Sequence, residues 1–285
     1  MKRGGYPYTC MNKENLAEVF DETLDIIRKS EYENNKGEKI DLDTTILEEG
    51  TAFYQNVPNM THTPGQRNYK TQVVVLEKDT FEAAKELGEH CGVLNMASFS
   101  RPGGGVLKGS SAQEEELCRR SNLYLSLSYY HNQDYEHLYE ACSDESSQYP
   151  IPVYGGIYSP NVSVFRGLDY EMLEKPFHCN VISVPAVKKP RLTKNGDMEE
   201  RETKMMKGKI RTMLRIAILH SLKDLVLGAF GCGSYGCPAS QTAKLFKDIL
   251  RETEFKGRFE KIVFAIIEDK NSNGKNLNAF KEVFG

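Results

Sequence analysis

Residues 91–117 read CGVLNMASFSRPGGGVLKGSSAQEEEL, and that stretch decides how the rest of the chain is read. Cys91 to Ala97 is an apolar run of strand length. It ends in Ser98-Phe99-Ser100-Arg101-Pro102-Gly103-Gly104-Gly105, a turn rich in glycine. Three consecutive glycines cost conformational entropy unless the backbone takes unusual angles or something approaches it closely. After seven intervening residues Gln113 opens an amphipathic segment that reads as one helix to Tyr130, with Leu117, Leu123, Tyr124 and Leu127 on its apolar side. Ser111 and Glu114 have capping-box spacing, Ser111 as the cap and Glu114 reaching back to it. Glu115 lies about 100° further round the helix and is left without a capping role.

Strand, loop, helix is the unit of an α/β fold, and the same alternation continues on both sides. Upstream, Asn15–Lys29 carries helical spacing, Lys36–Asp43 reads as turn, Thr44–Ile46 as a short strand and Asn56–Asn68 as loop. Gln72–Leu76 (QVVVL) reads as a buried strand, and Thr80 as the cap of a helix over Phe81–Glu89. Downstream, strands are expected at Gly156–Arg166, Asn180–Ala186, Asp224–Phe230 and Lys261–Ile267. Helices are expected at Lys204–Leu222, Ser240–Glu252 and Asn276–Phe284. Such alternation implies a largely parallel sheet covered on both faces. Polar excursions interrupt it at Asn132–Gln148 and Lys188–Glu202.

A second glycine loop, Gly228-Ala229-Phe230-Gly231-Cys232-Gly233-Ser234-Tyr235-Gly236, joins a strand to a helix. Backbone N–H groups in such a loop, beside a helix N-terminus, can cradle phosphates. Gly231 to Gly236 matches G-x-G-x-x-G, so a dinucleotide-binding Rossmann fold is the first alternative. It fits poorly: the motif comes late, and the acid expected about 20 residues on is missing, the next strand running out at Glu268. The phosphate-binding meaning is kept and the redox one discounted.

Composition narrows the classes. With 285 residues, 39% hydrophobic and 10% aromatic, the chain can bury a core and is not a disordered one. A net charge of −3 argues against wholesale electrostatic binding of nucleic acid. No apolar run approaches the ~18–20 residues of a membrane span, and Met1–Asn12 lacks a signal-peptide core. Seven Cys without paired C-x-x-C spacing read as reduced thiols, hence a cytoplasmic protein, or a nuclear one in a eukaryote. Cys232 and Cys237 have no partners for a zinc site, and the six His show no ligand spacing, so no metal and no cofactor is expected. Lys188-Lys189-Pro190-Arg191 reads as a solvated loop, with a targeting or polymer-contacting patch as the alternative.

In combination these motifs are more specific. Gly-Gly-Gly, seven residues, then Gln-Glu-Glu resembles the signature of poly(ADP-ribose) glycohydrolases, and the wording from Asn95 to Glu115 resembles their microbial branch. Tyr158–Arg166 (YSPNVSVFR) and the loop Gly228–Gly236 resemble further segments of that branch, over roughly residues 10–285. The resemblance implies a macrodomain-like three-layer α/β/α fold with a central mixed, largely parallel sheet. It also implies one domain over 1–285, with 1–70 as a helical N-terminal extension. The implied reaction is hydrolysis of ribose–ribose O-glycosidic bonds of poly(ADP-ribose), releasing ADP-ribose. Carried onto this chain, Glu115 is the catalytic acid and Glu114, after Gln113, hydrogen-bonds the ribose beside the scissile bond. Gly103, Gly104 and Gly105 line the diphosphate and distal ribose, with Asn95 or Ser98 touching that ribose. Gly231, Cys232, Gly233, Ser234 and Tyr235 wrap the diphosphate, Tyr235 packing on the distal ribose, and Gln113, Phe230 and Gly236 complete the substrate-binding set; Phe230 and Tyr235 are alternatively core aromatics, with ligand contact expected of at least one. Glu116 leaves the acid assignment open by one residue. Expected partners are poly(ADP-ribose) or ADP-ribosylated proteins, with no membrane or direct nucleic-acid contact, and the chain is expected to be a monomer. A non-catalytic ADP-ribose-binding module and a hydrolase of mono-ADP-ribose on protein or nucleic acid are the competing readings. The glycohydrolase and the binding module both need the glycine loops, but only the enzyme needs Glu115.

Overall fold

The computed structural model describes residues 11–60, 68–130, 149–267 and 274–285. The excursion expected at Asn132–Gln148 and the residue Glu268 lie outside the described residues. In chain order the elements are α1 (Lys13–Lys29), β1 (Glu31–Glu33), β2 (Lys39–Asp41), α2 (Thr45–Gly50), β3 (Ala52–Tyr54), β4 (Gln72–Leu76), α3 (Thr80–Leu87) and β5 (Gly92–Met96). There follow α4 (Gln113–Arg120), α5 (Leu123–Ser128), β6 (Gly156–Arg166), β7 (Met172–Val184), α6 (Glu200–Leu219), β8 (Asp224–Leu227), α7 (Ala239–Leu250), β9 (Lys261–Ala265) and α8 (Lys275–Phe284).

Seven strands form one mixed sheet in the order β3-β6-β7-β5-β8-β9-β4. β5 runs parallel to β8 (Gly92↔Leu225, Val93↔Val226), β8 parallel to β9, and β9 parallel to β4 (Gln72↔Lys261 through Leu76↔Ala265). This is the largely parallel sheet that the alternation implies, mixed as the family resemblance implies. Val93, Leu94, Val226 and Ile262 are buried, as parallel strands covered on both faces require. β4 differs from expectation: it ends the strand order, and its side chains are only half-buried.

Residues pack into two compact units. The first comprises Met1–Phe53, Ala97–Pro150 and Ile157–Val181; the second comprises Tyr54–Met96, Ile151–Gly156 and Ile182–Gly285. In the first, Phe20 meets Tyr124 edge-on at 5.0 Å, and Ile26, Tyr32, Leu42 and Phe165 form a second buried cluster. In the second, Phe246, Phe264, Phe280 and Phe284 make an aromatic core with centroids 4.8–6.5 Å apart.

Several local expectations are corrected. Thr44–Ile46 is no strand. Asp43 Oδ1 accepts from Thr45 N–H at 2.9 Å and starts α2, a turn signal that outweighs the β-branched run. Lys36–Asp43 contains β2, paired with β1 around Asn34, whose Oδ1 accepts from Lys36 and Glu38 N–H groups. Asp79, not Thr80, caps α3 through bonds from Phe81 and Glu82 N–H. The single helix expected from Gln113 to Tyr130 is two. Ser121 bridges to Val164, while Asn122 donates its N–H to Ser163 O and accepts Ser163 N–H on its side chain, so the backbone there serves β6 instead of the helix. β7 starts at Met172, eight residues before the expected Asn180, through a half-exposed polar stretch with no apolar run.

Candidate active site

The first glycine loop and the acidic helix belong to the first unit, and their geometry is interlocked. Gly103 and Gly104 have φ of +60° and +57°, the left-handed region that side chains avoid. Two turn bonds, Val106 N–H to Gly103 O at 3.0 Å and Lys108 N–H to Gly105 O at 2.9 Å, carry the chain into a short 3₁₀ turn over Val106–Lys108. A Cβ on Gly104 would lie 2.6 Å from Glu115 Oε1 and 3.1 Å from Glu114 Oε2. Both carboxylates therefore close on one glycine backbone.

Glu114, Glu115 and Glu116 are all buried, at 4%, 8% and 4% exposure, which is unusual for three consecutive acids. Each is held differently. Glu114 Oε2 accepts from Ser98 N–H at 2.7 Å. Glu115 accepts from Gly105 N–H on Oε1 at 2.9 Å and from Ala112 N–H on Oε2 at 3.1 Å. Glu116 accepts from Arg119 Nη1 at 2.9 Å and from the Tyr170 hydroxyl at 2.6 Å. The capping assignment is thus corrected. The N-cap is Ala112, which has no side-chain acceptor, and Glu115 bonds back to it; Glu114 instead reaches the segment after β5. Glu116 is engaged by Arg119 and Tyr170, so of the three acids Glu114 and Glu115 are those that approach Gly104.

Sequence reasoning missed the support beneath this turn. Arg119 is fully buried and donates to Ser110 O, in the linker between the glycines and α4, and through Nε to Leu16 O of α1 at 2.9 Å. Thr23 of α1 donates to Arg119 O at 2.7 Å. Burial pushes the Tyr170 hydroxyl far above its usual range, with the Glu116 charge beside it adding to the shift. The available signal was the i, i+3 spacing of Glu116 and Arg119.

The second glycine loop and Asn95 belong to the second unit. Asn95 is fully buried on β5, with Nδ2 donating to Ser183 Oγ at 3.0 Å. Ser98, half-buried, follows β5 in the first unit. Gln113, half-buried, begins α4. In the loop, Cys232 N–H bonds Ala229 O, Gly236 N–H bonds Gly233 O, and Cys237 N–H returns to Gly231 O, all at 2.9 Å. Gly231 and Gly236 have φ of +77° and +75°. Gly233 lies outside the left-handed region and has open space where a Cβ would stand. Ser234 and Gly233 are exposed and Tyr235 half-buried. Phe230 is corrected as a ligand-facing side chain: its ring is fully buried against Phe246 at 6.5 Å. The thiols of Cys232 and Cys237 are pushed up to about 12, chiefly by burial, which suits packing more than reactivity. α7 begins just after the loop with no acidic residue in its first turn.

Among the described residues no helix is long and apolar enough to cross a membrane, and no group of three His, Cys, Asp or Glu is placed to hold a metal. No curated protein matches the chain. The poly(ADP-ribose) glycohydrolase of Thermomonospora curvata is similar at 28% identity and TM-score 0.78, over 95% of this chain and 100% of that one. The same enzyme bound to the inhibitor ADP-HPD gives 28% and 0.75, over 94% and 99%. That of Deinococcus radiodurans in complex with ADP-ribose gives 28% and 0.63, over 84% and 96%. A family model for the microbial-type PARG catalytic domain matches residues 21–167, which include the first glycine loop and all three buried acids. With more than half its length so matched, the chain belongs to the microbial-type poly(ADP-ribose) glycohydrolase catalytic domain family.

Proposed function

We propose that this chain hydrolyses the ribose–ribose O-glycosidic bonds of poly(ADP-ribose), releasing ADP-ribose, with Glu115 as a single acid/base and residues 1–285 acting as one catalytic domain. Breaking such a bond needs a proton on the leaving oxygen and stabilisation of an oxocarbenium-like ribose. Glycosidases with two opposed carboxylates place them across the substrate. Glu114 and Glu115 are adjacent on one turn and converge on one glycine, which favours a one-acid route. Glu115 donates a proton to the departing hydroxyl and then takes one from the attacking water. Glu114 orients the neighbouring ribose, and the diphosphate of the ligand helps to balance the developing positive charge. Gly103 to Gly105 offer backbone without side chains to the ligand. In the second loop, exposed Gly233 and Ser234 and the uncapped start of α7 suit a diphosphate. Tyr235 is the aromatic for the ribose. The chain acts as a monomer in the cytoplasm on polymer or on ADP-ribosylated proteins, without cofactor, metal or nucleic acid. Five described cysteines are free thiols, which suits that compartment.

The observation that carries this reading is the placement of Glu115, buried and bonded to the glycine loop by Gly105 N–H. The test is labelled poly(ADP-ribose) with product sizing. Glu115→Gln should lower the rate by ~10²–10⁴-fold while ADP-ribose affinity stays within about tenfold, since a lost proton donor affects ground-state binding little. Turnover near wild type would remove Glu115 from the mechanism. Polymer left intact by the wild type, with ADP-ribose still bound, would leave the binding-module reading.

A further inference from the structure

Residues 188–199 lie between β7 and α6, and composition alone makes them a solvated excursion. The structure makes them an ordered arm. Leu192 bridges Met198, Thr193 N–H donates to Asp197 O at 2.7 Å, and Glu199 N–H donates to Arg191 O at 2.9 Å. Met198 is buried and pinned from two helices: its N–H reaches Gln241 Oε1 of α7 at 2.7 Å, and its carbonyl accepts from Thr203 Oγ1 of α6 at 3.0 Å. The start of the arm is fastened to the second glycine loop. Lys189 N–H donates to Tyr235 O at 2.8 Å, and Lys188 Nζ stands 5.6 Å over the Tyr235 ring. At the adjoining residue, Cys237 Sγ donates to Val187 O at 3.1 Å.

The outgoing half of the arm exposes Lys188, Lys189, Arg191 and Lys194, while the return half carries Asp197 and Glu199. Lys189, Arg191 and Lys194 form no ion pair among the described residues. In a chain of net charge −3, this is an excess of cations on a rigid support that begins at the proposed diphosphate loop.

We infer that this arm is a secondary binding surface for the continuing polymer, its cations taking the diphosphate of an ADP-ribose unit beyond the one held by the second glycine loop. The inference rests on the proposed glycohydrolase reading. Polymer is favoured over nucleic acid because the arm is joined to Tyr235. A chain seated on that loop meets the arm next, whereas nucleic acid has no such starting point. Because the arm is braced against α6 and α7, its charges are presented with little ordering cost.

The experiment uses the full chain carrying Glu115→Gln, so that polymer survives, with and without Lys189→Glu, Arg191→Glu and Lys194→Glu together. Lys188 is left alone because it packs on Tyr235. Fluorescence anisotropy measures ADP-ribose, size-fractionated poly(ADP-ribose), and single-stranded DNA and RNA of matched charge, at two salt concentrations. Circular dichroism confirms that both proteins are folded. Long polymer should bind the parent more tightly than ADP-ribose and with steeper salt dependence. Charge reversal should weaken long polymer about tenfold, as three exposed charge contacts would, and remove the extra salt dependence, with ADP-ribose unchanged within twofold. Equal loss for ADP-ribose and polymer, or no loss for either, would overturn the inference while leaving the glycohydrolase reading intact. DNA or RNA binding to the parent as tightly as polymer, with the same loss in the variant, would overturn it in favour of a nucleic-acid surface. Failure of the parent to bind ADP-ribose at all would bring down the functional reading and this inference with it.

Discussion

Adding one methyl group at Gly104 tests the geometry around Glu115 more sharply than removing the acid does. In Gly104→Ala the new Cβ would stand 2.6 Å from Glu115 Oε1 and 3.3 Å from Glu115 Cδ. A carbon and an oxygen need on the order of 3.3 Å, so one side must give by roughly 0.7 Å. The glycine also has φ of +57°, where a side chain costs about 1–2 kcal/mol. If the loop holds, the carboxylate retreats, and its bond from Gly105 N–H, now 2.9 Å, lengthens or breaks. The backbone strain should lower the melting temperature by ~2–8 °C for a chain of this size. The rate should fall much more. Misplacing a reacting group by about 1 Å can cost ~10²-fold, and single-turnover release of ADP-ribose from labelled polymer measures it. A double-mutant cycle isolates the cause. If Gly104 acts through Glu115, Gly104→Ala should add little to the loss already caused by Glu115→Gln. A folded Gly104→Ala protein with a rate within threefold of wild type would refute the reasoning. Fully additive losses in the cycle would show that Gly104 acts elsewhere.

Glu116→Gln leaves the buried Arg119 guanidinium without its anion and should cost ~3–5 kcal/mol in urea melts. Tyr170→Phe, which removes one bond of 2.6 Å, should cost only ~1–3 kcal/mol; equal and small losses would mean the pair is not buried in solution. Gly233→Val should keep its melting temperature but lose ADP-ribose binding by calorimetry, because the position is open and lies outside the left-handed region. Gly231→Val should unfold more readily, since φ is +77° and a Cβ would sit 2.9 Å from Ala186 Cβ and Cys237 Sγ; the reverse order would displace the diphosphate from this loop. His220, bonded to the Tyr54 hydroxyl at 2.8 Å, is pushed down to about 4 by burial. Its folded pKa lies below the unfolded value, so the unfolded chain binds the proton first and stability is lost as pH falls from about 6.5 to about 4. The loss is at most about 3 kcal/mol, reduced by solvent reaching the ring. Acid melts of His220→Gln should be flatter over that window, and an unchanged slope would sink the assignment.

What the sequence made legible follows from where the information sits. Gln72–Leu76, Cys91–Ala97 and Lys261–Ile267 were readable because strands of a largely parallel sheet are apolar runs. α1, α6 and α8 were readable because one face is buried. The short elements before residue 55 were not. β1, β2 and α2 have three to six residues and are set by single side chains such as Asn34 and Asp43, which no periodicity captures. The break at Ser121–Asn122 was hidden for the same reason, since it depends on Ser163, some forty residues away in the chain. At the site, the glycine spacing marked where backbone comes close. It did not say which acid bonds to which amide: capping-box spacing favours Ser111 with Glu114, whereas the helix starts one residue later, after Ala112, and Glu115 is the acid that bonds back.

That last ambiguity explains why three acids stand in a row. Successive residues on a helix point about 100° apart, so an acidic run in one turn fans out in three directions. Here each direction meets a different piece of chain. Glu114 holds Ser98 at the start of the loop after β5, Glu115 holds Gly105, and Glu116 holds Arg119 and Tyr170. Arg119 in turn holds Ser110 and Leu16, so the linker that sets the distance from the glycines to α4 is tied to α1. The seven-residue spacing is therefore the length of chain that must pass from Gly105, around Gly109 against the backbone of Lys13, and back to Ala112. Lengthening that linker would slide Gly105 N–H away from Glu115 while leaving all three acids in the sequence. The spacing, more than the acids themselves, is what brings Glu115 onto the glycine loop and sets this arrangement apart from an acidic helix start alone.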